Sequence, residues 1–285
     1  MTTRMTTAPL IEVRGLRFAH PGGATALDGV ELTVGAGERV AVLGPNGAGK
    51  TTLMLHLNGI HRATAGEVRI GGEVVDTSDR RRLAEVRRRV GLVFQDPDDQ
   101  LFMPTVRADV AFGPANLGVA GDALATRVAA ALGAVGMDHV ADRHPHHLSM
   151  GERRRVAVAT VLAMEPDVLV LDEPSSNLDP RARRELVEVL LELAATRPIT
   201  LVVVSHDLPF ALEVCERSVV LDAGRVVADG RTRDVLADDD LLAAHRLELP
   251  YGFDRSLLRP ATDTTTQAPS APPHDDSARS NNVSP

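Results

Sequence analysis

"VAVLGPNGAGKTTL", residues 40–53, decides the fold. Val40–Leu43 reads as a short buried strand. Gly44, Pro45, Asn46, Gly47, Ala48 and Gly49 make a loop of mostly small residues, and Lys50, Thr51 and Thr52 open a helix expected over residues 50–58. The spacing G-x-x-x-x-G-K-[ST] between a strand and a helix is that of a phosphate-binding loop. Glycines let successive backbone N–H groups curl around phosphate oxygens, and the helix N-terminus adds a favourable dipole. Lys50 brings positive charge to the β- and γ-phosphates, and the Thr51 hydroxyl is a ligand for Mg2+. Lys50 is the only lysine among 31 Lys and Arg residues, so a lysine stands where arginine is otherwise used. A glycine turn before an ordinary helix is the plain alternative; the complete motif in its required context makes it the weaker reading.

Further along, "VLVLDEP" (Val168–Pro174) is an apolar strand ending in two acids. A carboxylate at a strand's C-terminal end beside a phosphate loop can hold the water shell of Mg2+, which is the expectation for Asp172. Glu173 is then placed to polarise an attacking water, a role worth about 10²–10⁴-fold in rate. "VVVSHD" repeats the pattern and delivers His206 to the end of another buried strand. Alone, His206 reads as a structural histidine; beside a phosphate loop and an acid pair it reads as a γ-phosphate contact.

Around these motifs the pattern alternates. Strands are expected at Leu10–Phe18, two within Val30–Gly44, a hairpin at Gly66–Asp76, and strands at Val90–Phe94, Val168–Leu171 and Ile199–Val204. Helices are expected in an Arg-rich stretch after residue 76, through most of 105–163 including Ala123–Val135 and one entered at Ser149, and at Arg181–Ala195 and Leu208–Val214. A strand pair, Ser218–Leu221 and Arg225–Asp229, precedes a helical tail to about Leu249. Such alternation implies an α/β fold with a parallel sheet covered by helices. Residues 1–9 read as a flexible N-terminus, 248–259 as an extension, and 260–285, poor in large apolar residues, as a disordered tail.

Composition narrows the class. The hydrophobic fraction is 44%, and no apolar run approaches the ~18 residues of a membrane helix. The N-terminal "MTTRMTTAPL" has no apolar core of a secretory signal. One cysteine, Cys215, fits a reducing cytosol. A net charge of −8 argues against nucleic acid as a partner. The arginine triplets Arg80–Arg82, Arg87–Arg89 and Arg153–Arg155 read as solvated helix faces, or as docking sites for an acidic partner or lipid headgroups. The cluster His144, His146, His147 provides no complete zinc ligand set.

Taken in order, the phosphate loop, Gln95 after a strand, "LSMGE" (148–152), "VLVLDEP", "SNLD" (176–179) and the histidine of "SHD" resemble the motifs of ATP-binding-cassette (ABC) ATPases over roughly residues 10–245. That resemblance implies an ABC-type nucleotide-binding domain over residues 10–247, with a parallel P-loop core sheet, an antiparallel β subdomain and a helical signature subdomain at about 100–163. It implies ATP and Mg2+ as cofactors, with Mg2+ held through Thr51, Gln95 and Asp172, and hydrolysis by Glu173, His206 and Gln95. It implies that Ser149, Met150, Gly151 and Glu152 contact ATP bound to an opposite subunit, and that Ser176, Asn177, Leu178 and Asp179 form a loop crossing the dimer interface. Two such chains, or this chain and a paralogue, would close head to tail.

The phrase "VFQDPDDQLFMPTVRADVAFGPANLG" (93–118) is similar to the ATPases of energy-coupling-factor importers, particularly their cobalt and nickel branch, as are "RHPHHLS" and "VLAMEPDVLVLDEP". The resemblance implies an integral membrane coupling subunit docking on Asp96–Phe102 and Thr105–Leu117, a separate substrate-binding membrane subunit, and a peripheral place on the cytoplasmic face of the cell membrane. The sequence departs from the pattern in three places. His20 stands where tyrosine usually stacks on adenine, with Phe18 expected on the same side of its strand. Met150 replaces a glycine, and Glu152 replaces glutamine. Gly151, where close phosphate approach most needs a missing Cβ, is kept. Other readings are an importer of biotin or another vitamin, an exporter, a soluble ABC ATPase of repair or translation, or a non-hydrolysing regulatory partner subunit. Repair types carry a long coiled-coil insertion and translation types two cassettes; neither is present.

Overall fold

In the computed structural model, which describes residues 9–258, the chain opens with an antiparallel layer. Strand β1 (Ile11–Ala19) pairs on one side with β2 (Thr25–Val34) and on the other with β4 (Ala65–Ile70), while β3 (Arg39–Leu43) leaves this layer for another sheet. The Gly-rich turn at 71–72 returns β4 into the two-residue strand β5 (Glu73–Val74), the hairpin that the sequence predicts. β2 starts five residues before the predicted Val30. Asp28 and Gly29 break the polar–apolar alternation there, yet pairing with β1 continues across bulges, with Phe18 opposite Leu27 and Ala19 opposite Thr25.

β3 is the centre of the second sheet. The order is β10–β9–β3–β8–β7–β6, from β6 (Val90–Val93), β7 (Val168–Asp172), β8 (Thr200–Ser205), β9 (Arg217–Asp222) and β10 (Arg225–Arg231). Five of these strands run parallel and only β10 is antiparallel to its neighbour. The connecting helices are α1 (Lys50–Leu57), α2 (Arg80–Arg89), α3 (Val106–Asn116), α4 (Gly121–Ala134), α5 (Met150–Leu162), α6 (Pro180–Thr196), α7 (Leu208–Val214), α8 (Thr232–Ala237) and α9 (Asp239–Ala244). Among the described residues no helix is long and apolar enough to cross a membrane.

The apolar runs of β3, β7 and β8 follow from burial on both faces. Ala41, Leu43, Leu169, Leu171, Leu201 and Val203 join one core under α3–α8. The intervening Val40, Val42, Val168, Val170, Val202 and Val204 join a second core shared with α1 and the antiparallel layer. Each such side chain, fully removed from water, contributes about 1.5–3 kcal/mol before the entropy of ordering is set against it. Their common result is a sheet whose C-terminal edge presents the phosphate loop, Asp172–Glu173 and Ser205–His206 side by side, because β3 lies between β8 and β9 and β8 lies between β3 and β7.

One expectation changes in kind. The Arg153–Arg155 run is not a solvated face: Arg153 pairs with Asp98 (2.8 Å), Arg155 with Glu185 (2.9 Å), and Arg154 is buried. Cys215 is buried as well, which pushes its thiol up to about 12 and leaves it a packing residue. The tail expected at 260–285, and all but Pro9 of the expected flexible N-terminus, lie outside the described residues.

Candidate functional site: a phosphate cradle and a separate signature helix

The loop after β3 is shaped by what its glycines must pass. A Cβ on Gly44 would lie 2.1 Å from the Leu221 carbonyl oxygen of β9, and one on Gly49 2.4 Å from that of Ala26 on β2. Gly47, with φ +79°, faces open space instead. Gly49 (φ +103°) turns the chain directly into α1, so the first amides of that helix point into the cavity. The cavity, about 470 Å3, is floored by Asn46–Thr52. His20, Ala24–Ala26, Gln95, Glu173 and His206 complete its lining. Gly44, Pro45, Asp172 and Phe18 are not on its surface.

Lys50 is curled into the loop, its Nζ donating to the carbonyl oxygens of Gly44 (2.7 Å) and Pro45 (3.1 Å). Burial pulls its ammonium below the ordinary value, against the opposite pull of Glu173 and Asp172. Thr51 Oγ1 donates to Asp172 Oδ2 at 3.1 Å. Burial holds the Asp172 carboxyl above the usual range and the Glu173 charge adds to this, while the Thr51 hydroxyl and Lys50 work the other way. A buried carboxylate, a hydroxyl and the Gln95 amide on the cavity lining form an all-oxygen donor set beside a phosphate cradle, which fits a small hard cation such as Mg2+. The set leaves most of the coordination to phosphate and water, as that ion prefers.

Glu173 has φ +44°, a conformation that costs a non-glycine residue about 1–3 kcal/mol. The surroundings hold it there: its amide donates to the Val204 carbonyl (2.8 Å), and its Oε2 accepts from Ser205 Oγ (3.1 Å) and the His206 amide (3.2 Å). His206 Nδ1 is 2.9 Å from the same oxygen, while 60% of the histidine side chain stays exposed. Just behind, Asp207 accepts from Ser175 Oγ (2.8 Å) and Arg183 Nε (3.3 Å) and caps α7 through the Phe210 amide. Adenine contact divides the two candidates. His20 lines the cavity, whereas Phe18 does not; it packs edge-on behind His20 (centroids 5.1 Å) and against His56 and His61 (4.8 and 4.9 Å).

The signature residues lie elsewhere. None of Ser149, Met150, Gly151 or Glu152 lines the phosphate cavity. Ser149 is the N-cap of α5: its Oγ accepts the Glu152 amide (3.3 Å) while Glu152 Oε2 accepts the Ser149 amide (2.8 Å), a reciprocal capping box. Glutamate at 152 thereby gains a local function, and those contacts hold its carboxyl below the usual range. Gly151 is small for a reason within the chain, since a Cβ there would sit 2.5 Å from the Ala182 Cβ at the start of α6. Met150 is half-buried. In Ser176–Asp179 the backbone of Asn177 is left-handed (φ +61°), and Asp179 caps α6 by accepting the Arg181 and Ala182 amides (2.8 and 2.9 Å). His144 stacks on His146 and meets His147 at a tilt, with centroids 5.1 and 5.6 Å away, and no group of metal-ligating side chains assembles among the described residues.

The sequence reading missed Ala24–Ala26 and Arg154. The first were hidden by the late start given to β2. Arg154 carried a signal: it shares the stripe of Ala157, Val158 and Val161, the face of α5 that points into the core.

Comparison with known proteins is consistent across sequence and structure. The sequence profile of the ABC transporter family matches residues 27–176. A Streptomyces avermitilis chain provisionally named an ABC transporter ATP-binding protein is 62% identical over 247 residues, covering 87% of this chain and 92% of that one. The energy-coupling factor transporter ATP-binding protein EcfA of Methanothermobacter thermautotrophicus is 50% identical, covering 86% of this chain and 78% of that one. Among solved structures, cbiO1 from Clostridium perfringens, described as part of the ABC transporter complex cbiONQ, superposes with a TM-score of 0.76 at 36% identity. The alignment covers 85% of this chain and 96% of that one.

Proposed function

The chain belongs to the ABC transporter family as an ATP-binding, ATP-hydrolysing subunit of the energy-coupling-factor kind, and we propose that it drives import of a transition-metal ion, cobalt first and nickel next. The observation carrying the metal reading is the 93–118 phrase, together with the structural likeness to a chain of the cbiONQ complex.

On this reading ATP lies in the cradle with its phosphates along Gly44–Gly49 and its base against His20. Lys50 exchanges its two loop carbonyls for β- and γ-phosphate oxygens, which restores to its buried ammonium the negative partner it lacks. Thr51, Asp172 and Gln95 would hold Mg2+, which when bound neutralises phosphate charge. Glu173 takes a proton from the attacking water; Ser205 and His206 saturate its Oε2 and leave Oε1 free for that water. His206 presents its exposed ring edge to the γ-phosphate. Ser149 serves an ATP bound to a second cassette, because its own helix lies outside this chain's cavity. Homodimer and heterodimer with a paralogous ATPase are both compatible with this arrangement.

Docking to the membrane coupling subunit is assigned to Asp96–Phe102 and Thr105–Leu117. Phe102 and Phe112 are 62% and 44% exposed and meet edge to face with centroids 5.0 Å apart, an exposed apolar pair on a segment that also exposes Leu117. Asp109 holds this pair in place, since one of its oxygens accepts the amides of both Phe102 and Met103 at 3.0 Å.

The test is reconstitution of the chain with its membrane components in proteoliposomes. ATP-dependent uptake of Co2+ or Ni2+, lost with Glu173→Gln, is the expected outcome. Uptake of biotin or another vitamin with no metal uptake would overturn the cargo, and uptake indifferent to Glu173→Gln would overturn the catalytic assignment.

A further inference from the structure

The largest side chain wholly inside the protein is a cation. Arg154 of α5 is 1% exposed, and among the described residues it forms no ion pair with a carboxylate. Its guanidinium is spent on backbone instead. Nη1 donates to the carbonyl oxygens of Phe94 (3.0 Å) and Gln95 (2.5 Å), and Nη2 reaches that of Ser176 (3.4 Å). Nε has no partner among the described residues, and the negative charges of Asp96 and Asp172 act only through space. Burying an arginine this way is costly, and an apolar residue would fill the same stripe of α5 more cheaply.

What distinguishes these three carbonyls is where they lie. Phe94 and Gln95 open the loop that follows β6 and carries Gln95, the glutamine loop, and Ser176 opens the 176–179 loop. Arg154 itself stands about one and a half turns beyond Ser149 on the helix whose first residues are the signature. We propose that Arg154 is a positioning residue for ATP hydrolysis: its buried fork ties the glutamine loop, the 176–179 loop and the signature helix so that they shift as one body. A planar guanidinium holds its donors in a fixed fork that reaches carbonyls of two separate loops at once, whereas a lysine ammonium is a point donor on a flexible stem and holds them less rigidly. The flanking arginines limit where this body can bend. Arg153 to Asp98 extends the tie along the glutamine loop, and Arg155 to Glu185 extends it to α6. Movement of the 96–102 segment is thereby passed to Ser149 and Ser176 without crossing the phosphate cradle.

The inference rests on the catalytic reading of Gln95 given above, and its test separates the two. ATP turnover and binding of a fluorescent ATP analogue are measured on the full chain for Arg154→Gln, Arg154→Lys and each of these combined with Gln95→Ala. Arg154→Gln is expected to lower kcat at least about twentyfold while the KM for ATP and the affinity for the analogue stay within about threefold, with Arg154→Lys falling in between. In the Gln95→Ala background either change at 154 is expected to cost less than about threefold more, because the residue it positions is already gone. Should Arg154→Gln fail to fold, Arg154→Lys carries the same two comparisons. An Arg154→Lys chain that turns over like the wild type, or full additivity with Gln95→Ala, would overturn the proposal. A Gln95→Ala chain with undiminished kcat would overturn the reading of Gln95 instead.

Discussion

The phosphate loop and the signature helix are built in opposite ways. The first is nine consecutive residues whose shape is set by its own glycines and the backbone they pass, and most of it faces one cavity with Glu173 and His206. The second is held by long-range contacts: a cap within α5, a close pass of Gly151 over Ala182, and one buried arginine reaching two other loops. Its serine does not line the phosphate cavity of its own chain. On the proposed reading, the difference teaches that one half of the site is complete in a single chain, whereas the other is only positioned by it and would act on a second cassette.

The largest effect falls on the first half. Glu173→Gln is expected to lower kcat by about 10²–10⁴-fold while ATP binding persists, measured by phosphate release beside nucleotide-analogue titration. Loss of binding together with turnover would show that Glu173 shapes the cradle rather than the chemistry. In the second half, Ser149→Arg is expected to abolish coupled hydrolysis, at least about a hundredfold, with analogue affinity of the isolated chain within threefold. A weakened affinity there would erase the contrast, because it would place Ser149 on its own chain's nucleotide.

Smaller changes sharpen the contrast. Gly151→Ala drives a methyl group into Ala182 and is expected to cost about 1–3 kcal/mol of stability by overpacking, read from denaturant midpoints. Adding Ala182→Gly is expected to recover most of that loss; no recovery would mean that Gly151 is small for its ligand, as the sequence suggests, and not for α6. The smallest effect belongs to Met150. Its side chain is flexible and unbranched, and the amides of α5 are there whatever residue occupies 150, so Met150→Gly is expected to change turnover by less than about tenfold. A hundredfold gain would show that the methionine obstructs closure.

What was legible in the sequence divides along the same line. The cradle, the acid pair after Val168–Leu171 and the exposed His206 are local patterns: period, glycine and strand-end position carry them, and the structure brings them to one sheet edge. Long-range determinants were not legible. Phe18 lies against His20 as its place on β1 suggests, yet it is kept off the cavity surface among His56 and His61, which arrive from α1 and the loop after it. Ala24–Ala26 become a wall only because β2 continues through a bulge that interrupts its alternation. Arginine runs look alike in sequence, but α2 keeps Arg80 and Arg81 exposed while α5 turns Arg154 inward. The number of charges in a run therefore says less than which helical face each one occupies.

The central claim, that each ATP is hydrolysed between Lys50 of one chain and Ser149 of another, is tested most directly by mixing two inactive chains. Lys50→Ala and Ser149→Arg each disable both sites of a homodimer. In a head-to-tail heterodimer of the two, both changes fall on one site and the other is wild type. Mixing equal amounts is expected to recover ATP turnover up to about a quarter of the wild-type rate, since half the dimers are mixed and each has one intact site of two. No recovery, with mixed dimers demonstrably formed, would contradict the account and return Ser149 to its own chain's nucleotide.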